Sequence, residues 1–312
     1  MAEEINEATN NKEIFTVDNE LAGHRLDFCL SRYFGLSRNF ASALIKNGAV
    51  EIAPNRRLKP SIKVNEGDEI SVLLPPPQSL ELEPEDVAFD VVYEDTDIIV
   101  VNKPAGLVVH PSPGHWTGTL VHGLLYRFRD IGTLNGVERP GIVHRLDATT
   151  SGLLVVARNG LAQENLFKQF KEREVKKVYL ALCYGCPKKD EGNIDYPIDR
   201  DPFNRLKMAC IEGGREASTD YEVIKKFDKY SLVKCTLHSG RTHQIRVHMA
   251  AIGCPLVGDT LYSPARSQPF EVPRVFLHAW HLGFIHPRTR NWLDFWQKLP
   301  TELLNFLITL RA

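Results

Sequence analysis

Asp147 lies in the run Gly141-Ile142-Val143-His144-Arg145-Leu146-Asp147-Ala148-Thr149-Thr150-Ser151-Gly152. A strand-like entry leads to a polar tetrad, then to small hydroxylated residues and a glycine, then to a second apolar run, Leu153-Leu154-Val155-Val156. A loop of this composition between two strands lets backbone and ligand approach closely. It sets one carboxylate beside one guanidinium. A nearby cation favours the charged form that a nucleophile or a general base needs. A structural Arg–Asp pair in a turn accounts for the tetrad equally well.

The same tetrapeptide, His-Arg-Leu-Asp, stands at 24–27, followed by Phe28-Cys29-Leu30. There the aspartate falls in the first turn of a helical pattern, where the helix dipole and free backbone N–H groups favour it, so Asp27 reads as structural. A further polar cluster is Ser239-Gly240-Arg241-Thr242-His243-Gln244-Ile245-Arg246-Val247-His248-Met249, which follows a strand and opens a helix. Two Arg, two His and a Gln at a helix start suit contacts with phosphates and bases. Lys176-Lys177-Val178-Tyr179-Leu180-Ala181 puts a tyrosine on an apolar strand, and Asn102-Lys103-Pro104-Ala105-Gly106-Leu107 and Leu256-Val257-Gly258-Asp259 add two loops.

The elements that must hold these residues follow from periodicity. Residues 1–18 are polar and read as a mobile tail. Leu26, Leu30, Tyr33 and Phe34 recur at helical spacing; Ser37 is a candidate N-cap for a second helix carrying Phe40, Ala41, Leu44 and Ile45, with Gly48 as its stop. Strands at 49–52 and 69–73 complete a small helix-helix-β unit over 19–75. Pro75-Pro76-Pro77 and the acidic stretch to residue 88 read as an extended linker, 76–88. From residue 89 to 312 strands predominate, at 89–93, 97–101, 153–157, 178–184, 219–227, 230–238 and 275–285. A helix over 159–173 places Leu161, Phe167 and Phe170 on one face. The expectation is an α+β chain in which a mixed, largely antiparallel sheet with flanking helices follows the small unit.

The 312 residues carry 38 Lys and Arg against 39 Asp and Glu, a net charge of −1. The distribution is uneven: −5 over 1–20, +3 over 21–75, −8 over 76–100 and +9 over the remainder. Two basic bodies joined by an acidic strip suit a polyanionic partner, although solvated faces give the same balance. No apolar run approaches the ~18 residues of a membrane span, and the polar, acidic start is not a secretory signal. Six cysteines are too few for a disulfide framework. These features lead us to expect a cytoplasmic protein, and a monomer, since no heptad or long apolar edge is visible.

Taken together, the Asn-Lys-Pro loop, His-Arg-Leu-Asp followed by Thr-Ser-Gly, the Lys-Tyr strand, Gly-Arg-Thr-His-Gln-Ile-Arg and Leu-Val-Gly-Asp resemble the RluA-type RNA pseudouridine synthases, in that family's order and over residues 89 to about 300. Residues 21–75 resemble the RNA-binding module first recognised in ribosomal protein S-four. The resemblance implies an isomerase that breaks the uracil N-glycosidic bond, turns the base and rejoins it through carbon 5, with no cofactor and no metal. It implies that Asp147 is the catalytic aspartate, that Arg246 pairs with it, that Tyr179 stacks on the target base, and that Arg145 takes the place the flipped base leaves. Arg241 and His243 are expected at the RNA, as are Arg38, Lys46, Arg56, Arg57 and Lys59 of the small unit. The partner is RNA. The appended module favours large-subunit ribosomal RNA over transfer RNA, as in the RluC and RluD branches. Ala148 departs from the pattern, since the RluD branch commonly has a lysine there.

A non-catalytic ribosome-assembly factor would need no Asp147, Tyr179 and Arg246 together. A glycoside hydrolase would need a second acid, and residues 145–158 offer none besides Asp147. Cys183-Tyr184-Gly185-Cys186 lacks the second pair a zinc site requires, and Trp280, Trp292 and Trp296 read as core or sheet cover.

Overall fold

In a computed structural model the chain divides into two units, Met1–Glu81 and Leu82–Ala312. The structure describes residues 11–34, 38–52, 58–74, 82–112, 114–129, 131, 140–263 and 274–310. The N-terminal unit contains β1 (Asn11–Thr16), α1 (Leu26–Phe34), α2 (Arg38–Lys46), β2 (Val50–Ile52) and β3 (Glu69–Leu74). Leu26, Cys29 and Leu30 on α1 and Ala41, Leu44 and Ile45 on α2 keep helical spacing. They pack with Val50, Ile52, Ile70 and Val72 of the strands.

β1 corrects the expected tail over 1–18. It pairs antiparallel with β3 from Asn11↔Leu74 to Thr16↔Glu69, and Phe15 and the following Val17 are buried. Its polar composition hid it because the strand is an edge whose outer side chains meet water. Residues 1–10 and Ser37 lie outside the described residues.

The C-terminal unit runs β4 (Asp90–Glu94), β5 (Ile98–Lys103), α3 (Leu120–Arg127), β6 (Ser151–Ala157), α4 (Gly160–Glu172), β7 (Lys176–Tyr184), β8 (Glu191–Ile194), β9 (Ile198–Arg200), β10 (Met208–Cys210), β11 (Thr219–Lys226), β12 (Tyr230–Leu237), α5 (Gln244–Ala251), β13 (Leu277–Ile285), β14 (Trp292–Trp296) and α6 (Thr301–Thr309). Nine strands form one sheet in the order β4-β5-β6-β13-β7-β12-β11-β8, with β14 paired to β13. β6 and β13 run parallel; the other pairings of this sheet are antiparallel. This is the expected mixed, largely antiparallel sheet with flanking helices. Every residue of β6 is buried because both faces are covered: Leu154 and Val156 join one core with α3, and Leu153 and Val155 join another with Ala162 and Leu166 of α4. Such a strand reads as a continuous apolar run.

Two expectations change here. Of the expected linker 76–88, residues 82–88 lie along α3. The Glu85 N–H donates to His122 O, its carboxylate accepts from the Gly118 N–H at 3.0 Å, and Leu82 and the following Phe89 pack on the core. The contact depends on Gly123, where a Cβ would meet the Val87 Cβ at 2.8 Å. Residues 75–81 lie outside the described residues.

Helix α4 also presents a different face from the one expected. Ala162, Leu166 and Gln169 are buried while Leu161 and Phe167 are half-exposed. Gln169 turns inward because it satisfies the backbone of β13: its amide donates to Ile285 O at 2.7 Å and its oxygen accepts from the Ile285 N–H at 2.9 Å. Hydropathy alone puts such a residue outside. Trp292 and Trp296 are half-exposed on the edge strand β14, with Trp296 stacked on His281. No described helix is long and apolar enough to cross a membrane.

Candidate active site

The loop before β6 is held from below. Lys103, at the end of β5, is fully buried. Its ammonium donates to Pro104 O at 2.8 Å, Leu107 O at 2.7 Å and Ala148 O at 3.2 Å. Gly106 N–H donates to the same Ala148 oxygen. The Asn-Lys-Pro loop is thereby tied to the residue that follows Asp147. Burial pulls the Lys103 pKa down to about 7, with Asp147 opposing and Arg274 adding to the shift. At the far end of the loop Gly152 sits at φ +113°, and a Cβ there would lie 2.3 Å from Ala279 O. This is where β6 first pairs with β13, so the glycine is what lets the loop enter the sheet.

Above the loop is a pocket of about 510 Å³. Asp147, Tyr179, Arg246, Arg145, Arg241 and His243 all line it. They come from the β6 loop, β7 and the start of α5. Asp147 is the only carboxylate among the described lining residues, facing Arg145, Lys171, Arg173, Lys177, Arg241 and Arg246. The pocket is therefore a cationic bowl with one anion in its wall.

Arg246 is buried and spans two carboxylates. Its Nε and Nη2 donate to Asp259 at 2.7 and 3.0 Å, and its Nη1 lies 3.5 Å from Asp147 Oδ2. Asp259 is completely buried and also accepts the backbone N–H groups of Leu261 and Tyr262. The Tyr262 ring lies under the guanidinium, 5.1 Å away. Its hydroxyl bonds His243 Nδ1 at 2.9 Å and accepts from the Met208 N–H at 2.8 Å. The β9–β10 hairpin is thus fastened to the same group. Tyr179, on β7, is buried, and burial first and Asp147 second push its phenol above the ordinary tyrosine range. Burial pulls His243 below the usual histidine range, with Asp147 opposing.

The start of α5 is less available to a ligand than its polarity suggests. Gln244 is buried: its oxygen accepts from Ser239 Oγ and the Arg241 N–H, and its amide donates to Ser218 O and Thr219 Oγ1. His248 is buried between Thr219 Oγ1 and Tyr196 O. Both tie the motif to β11 and its approach. Arg241 remains at the rim, its Nε donating to Glu216 O, and Arg145 is exposed there.

In the N-terminal unit, Asp27 accepts from Arg25 at 3.0 and 2.7 Å, from Arg38 at 3.2 Å and from Ser42. Its structural role rests on these side chains. Arg25 above all, then Arg38, hold its carboxyl down at about 2. Arg38, Lys46 and Lys59 are exposed; Arg56 and Arg57 lie outside the described residues. Cys183 is buried within β7 and Cys186 is exposed, and both are free thiols.

Asp259 and Lys177 stand within quoted motifs without a role of their own, and Tyr262 was passed over. Lys177 carried a signal, since it shares strand alternation with Tyr179. Tyr262 carried none.

The model for RNA pseudouridylate synthases matches residues 97–251, and that for the S4 domain matches residues 25–70. The chain is 46% identical to an uncharacterized RNA pseudouridine synthase of Aquifex aeolicus over 87% of this chain and 89% of that one. It is 42% identical to the ribosomal large subunit pseudouridine synthase D of Neisseria meningitidis serogroup B over 97% of this chain and 83% of that one. Among solved structures, human RNA Pseudouridylate Synthase Domain Containing 1 aligns with a TM-score of 0.55 and 31% identity, covering 72% of this chain and 86% of that one.

Proposed function

Because the chain belongs to the RNA pseudouridylate synthase family, and is therefore an RNA-modifying isomerase, we propose that it converts specific uridines of large-subunit ribosomal RNA, with Asp147 as its one catalytic carboxylate. The observation that carries this reading is the placement of Asp147 as the only carboxylate among the described residues lining a pocket that six cations also wall. RNA enters such a bowl with its phosphates neutralised, and the single anion is left to act at the sugar.

In the reaction, the bond from C1′ to N1 breaks, the base turns, and a bond from C1′ to C5 forms. The C5 proton leaves and N1 gains one, so substrate and product are isomers and no oxidant or reductant is required. Asp147 acts at the sugar, either by attack or by removing a proton, and the ion pair with Arg246 aims it. Tyr179 offers its ring to the flipped uracil, which offsets part of the few kcal/mol of unstacking. Arg145 at the rim fills the position the base leaves, and Arg241 and His243 contact the RNA beside it. Arg38, Lys46 and Lys59 of the S4 domain give a second foothold on phosphates. The S4 match and the relatives named for the large ribosomal subunit support the choice of ribosomal RNA.

The test is tritium release from [5-³H]uridine in transcribed large-subunit RNA, with transfer RNA in parallel and Asp147→Ala as the control. Release from ribosomal RNA by the wild type, and none by the variant, is expected. Release from transfer RNA alone would overturn the substrate, and undiminished release by the variant would overturn the role of Asp147.

A further inference from the structure

We propose that Lys177, with Arg173 and Arg241 beside it, forms a subsite for a phosphodiester of the RNA next to the uridine in the pocket, an assignment that rests on the RNA-modifying reading above.

Lys177 lies on β7, two residues before Tyr179. Alternation along a strand puts both side chains on one face, about 7 Å apart at their Cα atoms, and both line the same pocket. That separation is within the reach of one nucleotide. A base on Tyr179 therefore carries its backbone past Lys177.

The ammonium is poorly provided for by the protein. Lys177 is 7% exposed. Among the described residues its one hydrogen bond goes to Ser239 O at 3.4 Å, at the long limit for such a contact. The face of the Phe170 ring lies 5.8 Å away, and His144, stacked on that ring and held neutral by burial first, is near enough for Lys177 to add to that effect. The charges that act on it are cations, Arg173 and Arg241. Burial first, then Arg215 and Arg173, pull Arg241 below the ordinary guanidinium range, with the carboxylate of Glu216 opposing last. Glu216 pairs with Arg173 at 3.2 Å and is 85% exposed. Asp147 faces Arg246.

A buried cation without a counter-ion costs stability, and a methionine of similar length would fill the same space without that cost. Burial first, then Arg173 and Arg241, bring the Lys177 pKa down to about 8, which records the same mismatch. The arrangement is complete only when an anion enters. The phosphodiester is the anion that RNA brings, and Arg–phosphate and Lys–phosphate contacts are the strong, charge-assisted kind. Arg241 is held toward the pocket through its Nε–H bond to Glu216 O. Arg173 is held at the αL C-cap of α4.

The test compares wild type, Lys177→Met and Arg173→Ala in thermal unfolding, in filter binding to transcribed large-subunit RNA across a salt series, and in tritium release. For Lys177→Met the expected results are an unfolding temperature equal to or above that of the wild type and a KM raised at least about tenfold. The slope of log affinity against log salt should be shallower by about 0.7–0.9. Arg173→Ala, at a half-exposed residue, should shift KM and slope in the same direction by smaller factors. A Lys177→Met protein that melts well below the wild type would mark the lysine as structural and overturn the subsite. So would an unchanged slope, or a loss confined to kcat. Tritium release by the wild type with an unchanged Lys177→Met slope would sink the subsite and leave the isomerase reading standing. A shallower slope without release from any RNA would do the reverse.

Discussion

Arg246 is gripped by Asp259: two of its nitrogens donate to that fully buried carboxylate at 2.7 and 3.0 Å, and the third lies 3.5 Å from Asp147. The short contacts set the position of the guanidinium, and the long one leaves its remaining nitrogen turned toward Asp147. Asp259→Asn leaves a buried arginine without its charge partner, which costs roughly 3–5 kcal/mol. We expect a lowered unfolding temperature together with at least about a tenfold loss of kcat in tritium release. Full activity in a folded Asp259→Asn protein would show that Arg246 needs no such anchor.

The two His-Arg-Leu-Asp copies respond differently to one substitution. Asp27→Asn weakens bonds to Arg25, Arg38 and Ser42 and destabilises the N-terminal unit by about 1–2 kcal/mol. The folded pKa near 2 is below the unfolded value of ~3.9. The Asp27 contribution is therefore present above about pH 4 and lost as pH falls toward 2. Asp147→Asn has few protein contacts to lose; tritium release should vanish while the melting curve stays within a few degrees. Reciprocal results, a stable Asp27→Asn and an unfolded Asp147→Asn, would reverse the assignment.

Tyr179 is expected to act through its ring. Tyr179→Phe should keep KM within about threefold. Tyr179→Ala removes a stacking surface worth about 1–3 kcal/mol per base and should raise KM about 5- to 150-fold. Equal losses in both variants would mean that the hydroxyl matters instead.

Lys103 gives a pH signature. Its folded pKa is about 7 against ~10.4 in the unfolded chain. Between these values the unfolded state binds more protons, so the contribution of this group to stability rises with pH. Below pH 7 both states are protonated and the contribution is constant. The stability difference between wild type and Lys103→Met, followed by urea unfolding, should therefore move in favour of the wild type from pH 7 to 10. A flat difference would place the ammonium in a less buried setting.

Gly152→Ala should be severe. The residue has φ +113°, and the new methyl would meet Ala279 O at 2.3 Å and Ala279 N at 2.7 Å. Strain and overlap at a strand junction amount to at least about 3 kcal/mol, readable as a large drop in unfolding temperature. A protein as stable as the wild type would mean that β6 and β13 can separate at this point without cost.

Much of the fold was legible where one physical signal dominated. The uninterrupted apolar run of β6 marks a strand covered on both faces, and α2 shows its buried side in Ala41, Leu44 and Ile45. Other parts were hidden because a local signal was overridden. β1 is polar yet ordered, since an edge strand needs only Phe15 to reach the core. Residues 82–88 are acidic yet seated, since Gly123 lets them approach α3. Gln169 is polar yet buried, since the end of β13 needs its hydrogen bonds.

The sequence by itself determined the family, the isomerase chemistry and the α+β class, because those rest on residue types in a fixed order and on periodicities of two and 3.6 that a single chain displays. It also put Asp147, Tyr179 and Arg246 forward together. Only the tertiary structure decided their neighbours: that the aspartate of one His-Arg-Leu-Asp faces a pocket while that of the other is bound by Arg25 and Arg38, that Asp259 rather than Asp147 holds Arg246, and that Lys177 is buried among cations. The facts at the pocket come from β7, the β6 loop and α5 meeting across the sheet, and the bonding of Asp27 comes from α1 meeting α2 in the N-terminal unit. Charge and burial depend on distance in space, which spacing along the chain does not record.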